Sequence, residues 1–431
     1  MKKIIAGVLA VMMMATAFAG CGEQTPANGG ATGDVAGDES KTSSDVELFG
    51  EEDNISLKVW GPDKSVDLLK RQCDAFIKLY PEKKISIEVV AQGESDAGTQ
   101  LLNDATTAAD VFGIPSDHIN KLVRAKVIQE VAFADEVKAN NSETIVEDAT
   151  RDGVLYAYPE TADNGYYLVY DNTVVKEGNE KKLETVLEDC KAAGKKFIVS
   201  AGDGFYSCMF IFTAGLKTDG IEDDGITQKF TDYNEDEVVA TMQAFSKLFH
   251  EYSTTFQSLS ADKIPSGFST GVCGAGIDGS WNVVADQTAL GDKYSAAKLP
   301  TITVNGEDKQ IISMFGYKFI GVNAATKFPR AAQILANYLT GEECQLQRAE
   351  ELGWCPSNNV AAQSDLVKNN EAISAIREQA ENSVPMGNVV QQFFEPVGNL
   401  GNQLIADKTD PSNTDYMKEL LKETLQNIKD V

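Results

Sequence analysis

Side chains able to hold a polar solute gather in four places along the chain. The first is residues 156–171, where Pro159 and Gly165 bracket Glu160, Thr161, Asp163 and Asn164 between two tyrosine-rich, strand-like runs. A polar crossing of this kind offers carboxylate and amide groups to a cleft, where small polar ligands are held. The others are Trp60 with Asp63 and Lys64, Asp117 with His118, and the indole of Trp281 behind a Gly279-Ser280 turn. Catalysis is the competing chemistry: Asp163, Asp203 and Asp278 would supply the two carboxylates of a glycoside-acting enzyme if suitably spaced. With 65 Asp and Glu in the chain, such pairs are almost guaranteed and carry little weight. There is no Gly-x-Ser-x-Gly elbow, no His-Glu-x-x-His and no glycine-rich phosphate loop with a lysine.

The local pattern sets most of these groups at strand ends. Residues 55–60 alternate in period two and Gly61-Pro62 breaks the chain. Val66, Leu69, Cys73, Phe76 and Tyr80 then share one helical face, which Pro81 ends. Ile85, Ile87 and Val89 mark a second strand, residues 100–108 a helix, 110–114 a third strand and 117–126 another helix. This β-α-β-α-β order predicts a mainly parallel sheet whose ligand crevice lies at the carboxyl ends of the strands. Trp60, Asp63, Lys64, Asp117 and His118 all follow such ends. Farther on, residues 196–200 read as a buried strand followed by Gly202-Asp-Gly-Phe-Tyr206. Residues 235–252 have helical spacing, with Val238, Met242, Phe245 and Leu248 on one stripe that faces a core.

The amino terminus reads as an export route. Lys2 and Lys3 precede an apolar run that ends in Phe-Ala-Gly-Cys at 18–21, too short to span a bilayer. The pattern resembles a bacterial lipoprotein signal, 1–20, after which Cys21 is the lipidated residue. Phe18 stands where a leucine is usual. Residues 21–54 are rich in Gly, Ala, Thr, Ser, Asp and Glu and form a flexible tether, because they cannot bury enough apolar surface to offset their ordering entropy. The protein is therefore expected on the extracytoplasmic face of the cell membrane, held by a lipid anchor, with the long tether favouring a Gram-positive envelope. A formal charge of -27 argues against nucleic acid, which is bound by clustered basic surface. The six cysteines after Cys21 show no Cys-x-x-Cys spacing and no metal-like pattern with His118 and His250, so mostly buried thiols and no metal are expected; disulfides are also open to an exported protein, and sequence alone does not pair them.

From Leu57 onward the chain resembles the extracellular solute-binding protein family that includes the maltose and maltodextrin receptors of ABC importers. The motifs that carry the resemblance are Trp-Gly-Pro at 60–62, Ala109-Asp-Val-Phe-Gly before Asp117, Tyr158-Pro159 with Thr161-Ala-Asp-Asn-Gly165, and Phe268 through Gly271 to Gly279-Ser-Trp281. Leu299-Pro-Thr301, Phe328-Pro329 with Thr340-Gly-Glu342, and Phe393-Phe-Glu-Pro396 follow in the same order.

The resemblance implies a type II periplasmic-binding-protein-like fold: two α/β lobes joined by hinge strands around a central ligand cleft. One lobe takes 55–160 and 313–365, the other 161–312 and 366–431. It further implies a monomer without cofactor or catalytic residues, which captures a carbohydrate and hands it to an ABC permease in the membrane. Carried over by position, Asp63-Lys64 matches an Asp-Lys pair and Asp117-His118 an Asp-Arg pair. Asp163 or Asn164 takes the place of a hinge glutamate, and Asp203, Phe205 and Tyr206 that of a glutamate and a stacking tyrosine. Trp281 and Phe394 match stacking tryptophans, whereas Ile114 replaces a third aromatic. The chemistry agrees with a sugar, whose C–H face packs on a ring and whose hydroxyl rim both donates and accepts. A receptor for a non-sugar solute such as an amino acid or phosphate would want a fixed charge at its centre, which the sequence does not reveal.

Overall fold

The computed structural model describes residues 48–222, 227–231 and 233–428. The leader, Cys21 and most of the expected tether lie outside them. Folding starts earlier than residue 55. Phe49 is fully buried and meets Tyr80 edge-on with ring centroids 4.8 Å apart. The Glu52 carboxylate accepts the backbone N–H groups of Arg330 and Ala331, at 2.9 and 2.8 Å, where the helix Pro329–Leu339 begins. Those groups have no partner inside their own helix, and a carboxylate suits that end of its dipole. The expected tether is thereby corrected: its last residues belong to the folded body, and one buried ring in a polar stretch makes no periodic signal.

Two sheets lie side by side. In the first, Ser383–Pro385, Ser313–Val322, Val111–Pro115, Ser56–Gly61 and Ser86–Ala91 are neighbours in that order, and Tyr158–Asn164 also pairs with Ser313–Val322. Ser56–Gly61 is parallel to both of its neighbours, as the strand-helix alternation predicts. The second sheet runs Phe256–Ser258, Lys196–Val199, Cys273–Gly279, Tyr166–Asp171, Tyr294–Ala297. The chain passes between sheets at Gly165, where an added Cβ would lie 2.7 Å from the Phe315 ring. It returns along Ser313–Val322, antiparallel to the outgoing strand, with Gly316 opposite Asn164. Both sheets are therefore mixed, because the strands next to the crossings run against the parallel set.

Each sheet has its own hydrophobic core. One contains Leu57, Val59, Leu69, Phe76, Ile114 and Phe319, the other Leu168, Phe197, Phe210, Met242, Phe245 and Leu400. Full burial of each such side chain contributes about 1.5–3 kcal/mol. The helix Glu235–Glu251 turns Val238, Met242, Phe245 and Leu248 inward, and its Asn234 cap accepts the backbone N–H of Asp236. All six cysteines among the described residues are buried free thiols.

Candidate functional site

Between the lobes lies a cleft of about 550 Å³. Its first-lobe wall is made by loops that follow strands. Ser56–Gly61 ends in a short turn carrying Lys64, Ser86–Ala91 leads into the helix that starts at Glu94, and Val111–Pro115 leads into the turn of Asp117 and His118. The floor is Asn164 and Lys318 from the two crossing strands. The second-lobe wall is Asp203, Phe205, Tyr206, Trp281 and Phe394.

The rings are placed by local structure. The Asp203 carboxylate accepts the Phe205 backbone N–H at 2.9 Å and so caps the one-turn helix Gly204–Ser207, which projects Phe205 and Tyr206. Only glycine fits at 204, because a Cβ would lie 2.0 Å from the Phe394 carbonyl oxygen. Trp281 follows the strand Cys273–Gly279 in a tight turn. Its ring centroid is 5.9 Å from that of Phe205 and 6.4 Å from that of Tyr206, and Tyr166 backs both from behind. The result is a continuous aromatic surface with apolar faces and polar edges.

Charge is concentrated on the floor and the opposite wall. The Lys318 ammonium is 3.0 Å from a Glu94 carboxylate oxygen, and beneath them the Arg348 guanidinium is 3.2 Å from Glu160. Burial alone would lower the pKa of Lys318, but Glu94, Asp163 and Glu160 outweigh it and hold the group above its ordinary value. Lys64 responds in the opposite sense. Desolvation of its ammonium, helped by the charge of Lys318, pushes it down to about 8, although the residue as a whole is exposed. Its Nζ donates across the cleft to the backbone carbonyl of Trp281, a direct bond between the walls. Burial raises the Asp117 carboxyl, with His118 opposing, and Asp117 Oδ1 has no protein hydrogen-bond partner.

Nine of the residues singled out from sequence line the cleft: Lys64, Asp117, His118, Asn164, Asp203, Phe205, Tyr206, Trp281 and Phe394. Three do not. Trp60 is half-buried against the first-lobe core, and Asp63 is exposed outside the cleft. Asp163 is buried and fully engaged, accepting from Thr161 Oγ1 at 2.6 Å and from the Cys355 N–H at 2.7 Å. Asn164 lines the cleft and Asp163 does not; a register shift between Lys318 and Gly316 interrupts the simple alternation where the two residues lie.

Asp278 is also removed from the cleft. It is completely buried beneath the Trp281 turn, bonded to Asn282 at 2.9 Å and adjoining buried Asp286. Burial and the neighbouring Asp278 carboxylate push Asp286 up to about 9. Two of the three aspartates considered for glycoside chemistry are thus outside the cleft. Sequence reasoning missed Glu94 and Lys318. The strand-end rule that selects Lys64 and Asp117 also selects Glu94 after the second strand, and Lys318 is the only charge in an otherwise uncharged buried strand.

A second groove, of about 590 Å³, lies on the other face of the strand Ser313–Val322. Phe315 and Tyr317 line it, between Asn120, Asp148 and Arg151 on one side and Ala380, Ser383 and Pro385 on the other. Burial pushes Asp148 up to about 6, against the charge of Arg151.

Residues 72–375 match the family described as bacterial extracellular solute-binding protein. The chain belongs to that family. It is 27% identical over 381 residues to a galactooligosaccharide-binding protein of Bacillus subtilis (strain 168), covering 82% of this chain and 86% of the relative. It is 23% identical over 375 residues to a maltooligosaccharide ABC transporter solute-binding lipoprotein of Streptococcus pneumoniae, covering 83% and 86%. A solved structure of a complex with acarbose superposes with a TM-score of 0.78 at 26% identity, over 87% of this chain and 98% of the other. A maltodextrin-binding protein from L. casei BL23, solved without ligand, superposes with a TM-score of 0.73 at 22% identity, over 86% and 98%. These superpositions agree with the two-lobe α/β fold.

Proposed function

We propose that this solute-binding protein captures a neutral oligosaccharide between its lobes and delivers it, uncleaved, to the permease of an ABC importer. The observation that carries this reading is the facing of two unlike walls: the rings of Phe205, Tyr206 and Trp281 against Lys64, Asp117 and His118. A pyranose between them sets its C–H face on the rings and its hydroxyls on the polar groups. The names of the relatives, oligosaccharide-binding proteins and one of them a lipoprotein of an ABC transporter, support the same class. We assign Cys21 as the lipid anchor, outside the cell membrane, and the protein as a monomer. The lobes divide at Gly165, at Gly316 and between residues 368 and 371, and closure over the sugar is the signal that the permease reads.

The test is calorimetric titration of residues 48–431 with malto- and galactooligosaccharides, each mixture then analysed for cleavage. Saturable binding of intact sugar is expected, with micromolar affinity corresponding to about −8 kcal/mol. Heat of cleavage or shortened products would overturn the receptor reading.

A further inference from the structure

Lys318 is the only charged residue in the long strand Ser313–Val322. Its side chain is 6% exposed, yet it lines the cleft. Three groups fix it: Glu94 at 3.0 Å, the Trp354 ring at 5.0 Å and the Trp281 ring at 6.0 Å from Nζ. Glu94 is itself 11% exposed and lies over Gly113, where an added Cβ would come 3.4 Å from its Cγ. An ammonium has three N–H groups, and Glu94 is the one protein acceptor within bonding distance among the described residues. A buried donor without an acceptor is costly, so the remaining N–H groups call for oxygen atoms supplied from the cleft.

We propose that the Glu94–Lys318 pair determines the charge selectivity of the cleft, with Lys318 donating to hydroxyl oxygens of the sugar ring stacked on Trp281 and Glu94 neutralising it against anionic sugars. The inference rests on the oligosaccharide reading above and extends it. Hydroxyl oxygens satisfy the ammonium without adding charge. A uronate would compete with Glu94 for Lys318 and leave one carboxylate buried without its partner, which is strongly unfavourable. Glu160 and Asp163, both close enough to act on Lys318, add to the repulsion. A cationic aminosugar meets the converse obstacle in Lys318 and Lys64. The surrounding rings keep water away from the pair, so the charge of each member is felt at short range.

The experiment is titration of the wild-type protein, Glu94→Gln and Lys318→Gln with a maltooligosaccharide and a galactooligosaccharide, each beside its analogue oxidised to the uronate at one C6. Circular dichroism and melting establish that the variants are folded. The wild type binds the neutral sugar and discriminates against the uronate. Glu94→Gln leaves Lys318 without its counter-charge and shifts the ratio toward the uronate by about tenfold or more. Lys318→Gln leaves Glu94 without its cation and shifts the ratio further from the uronate. Opposite shifts are the signature of a charge-reading pair, and either variant alone gives a signed result if the other does not fold. A folded variant that weakens both ligands by the same factor would show that the pair only supports the floor. Wild-type protein that binds no sugar would overturn the oligosaccharide reading and this inference together, whereas sugar binding with an unmoved ratio would overturn this inference alone.

Discussion

The two walls of the cleft are built from different kinds of side chain. The first lobe contributes Lys64, Glu94, Asp117 and His118, whereas the second contributes Phe205, Tyr206, Trp281 and Phe394, with Asp203 its one carboxylate. Dispersion and apolar burial therefore come from one side and directional hydrogen bonds from the other. Neither lobe alone can satisfy both the face and the rim of a sugar. On the proposed reading, full affinity requires both walls at once, which makes closure a condition of tight binding rather than its by-product.

That division is broken most severely by Trp281→Ala. It removes the largest ring of the aromatic wall and one of the two indoles beside Lys318, and is expected to cost about 2–4 kcal/mol of binding free energy. If calorimetry found a smaller loss than for any polar-wall variant, the aromatic wall would not be the main source of affinity. Lys64→Met should cost about 1.5 kcal/mol, the value of a single charge-assisted hydrogen bond. Because the ammonium is pushed down to about 8, its charge is present below that pH and lost above it. Wild-type affinity should fall a few-fold as pH rises through about 8, as charge-assisted bonds are roughly twice as strong as neutral ones. The Lys64→Met profile should be flat there, and a wild-type profile equally flat would exclude Lys64 from the binding step.

The aromatic wall also rests on a titrating support. The Asp286 carboxyl is raised in the folded protein above its ordinary value of 3.8 to about 9, so the stability it contributes is present below about 4 and lost as pH rises through about 9. Thermal melts of the wild type should decline between those limits, and Asp286→Asn, which cannot ionise, should decline less. Identical slopes would mean that the pair does not titrate in this window. The smallest effect is expected from Asp63→Ala, within about 0.5 kcal/mol in binding, since this exposed group lies outside the cleft. A large loss there would extend the polar wall beyond its present limits.

The order of strands and helices was legible because period-two and 3.6-residue patterns are written in single residues. The strand-end rule likewise found Lys64, Asp117 and His118. It failed by one residue at Trp60, which still lies within its strand and turns toward the first-lobe core rather than into the crevice. Asp163 and Asn164 could not be separated from composition, because their alternation depends on register with Ser313–Val322 and on the contact with Cys355. Lys318 was hidden for a different reason. Its partners Glu94, Trp281 and Trp354 are distant in sequence, and only the fold brings them to one lysine. Phe49 gave no period at all.

The strand Ser313–Val322 shows Lys318 to the front cleft and Phe315 with Tyr317 to the rear groove. If the proposed closure bends the body about this strand, space surrendered in front is recovered behind. On the proposed reading, a solute that fits the rear groove only when it is wide would strengthen sugar binding by the same factor by which sugar would strengthen its own, because linkage is reciprocal.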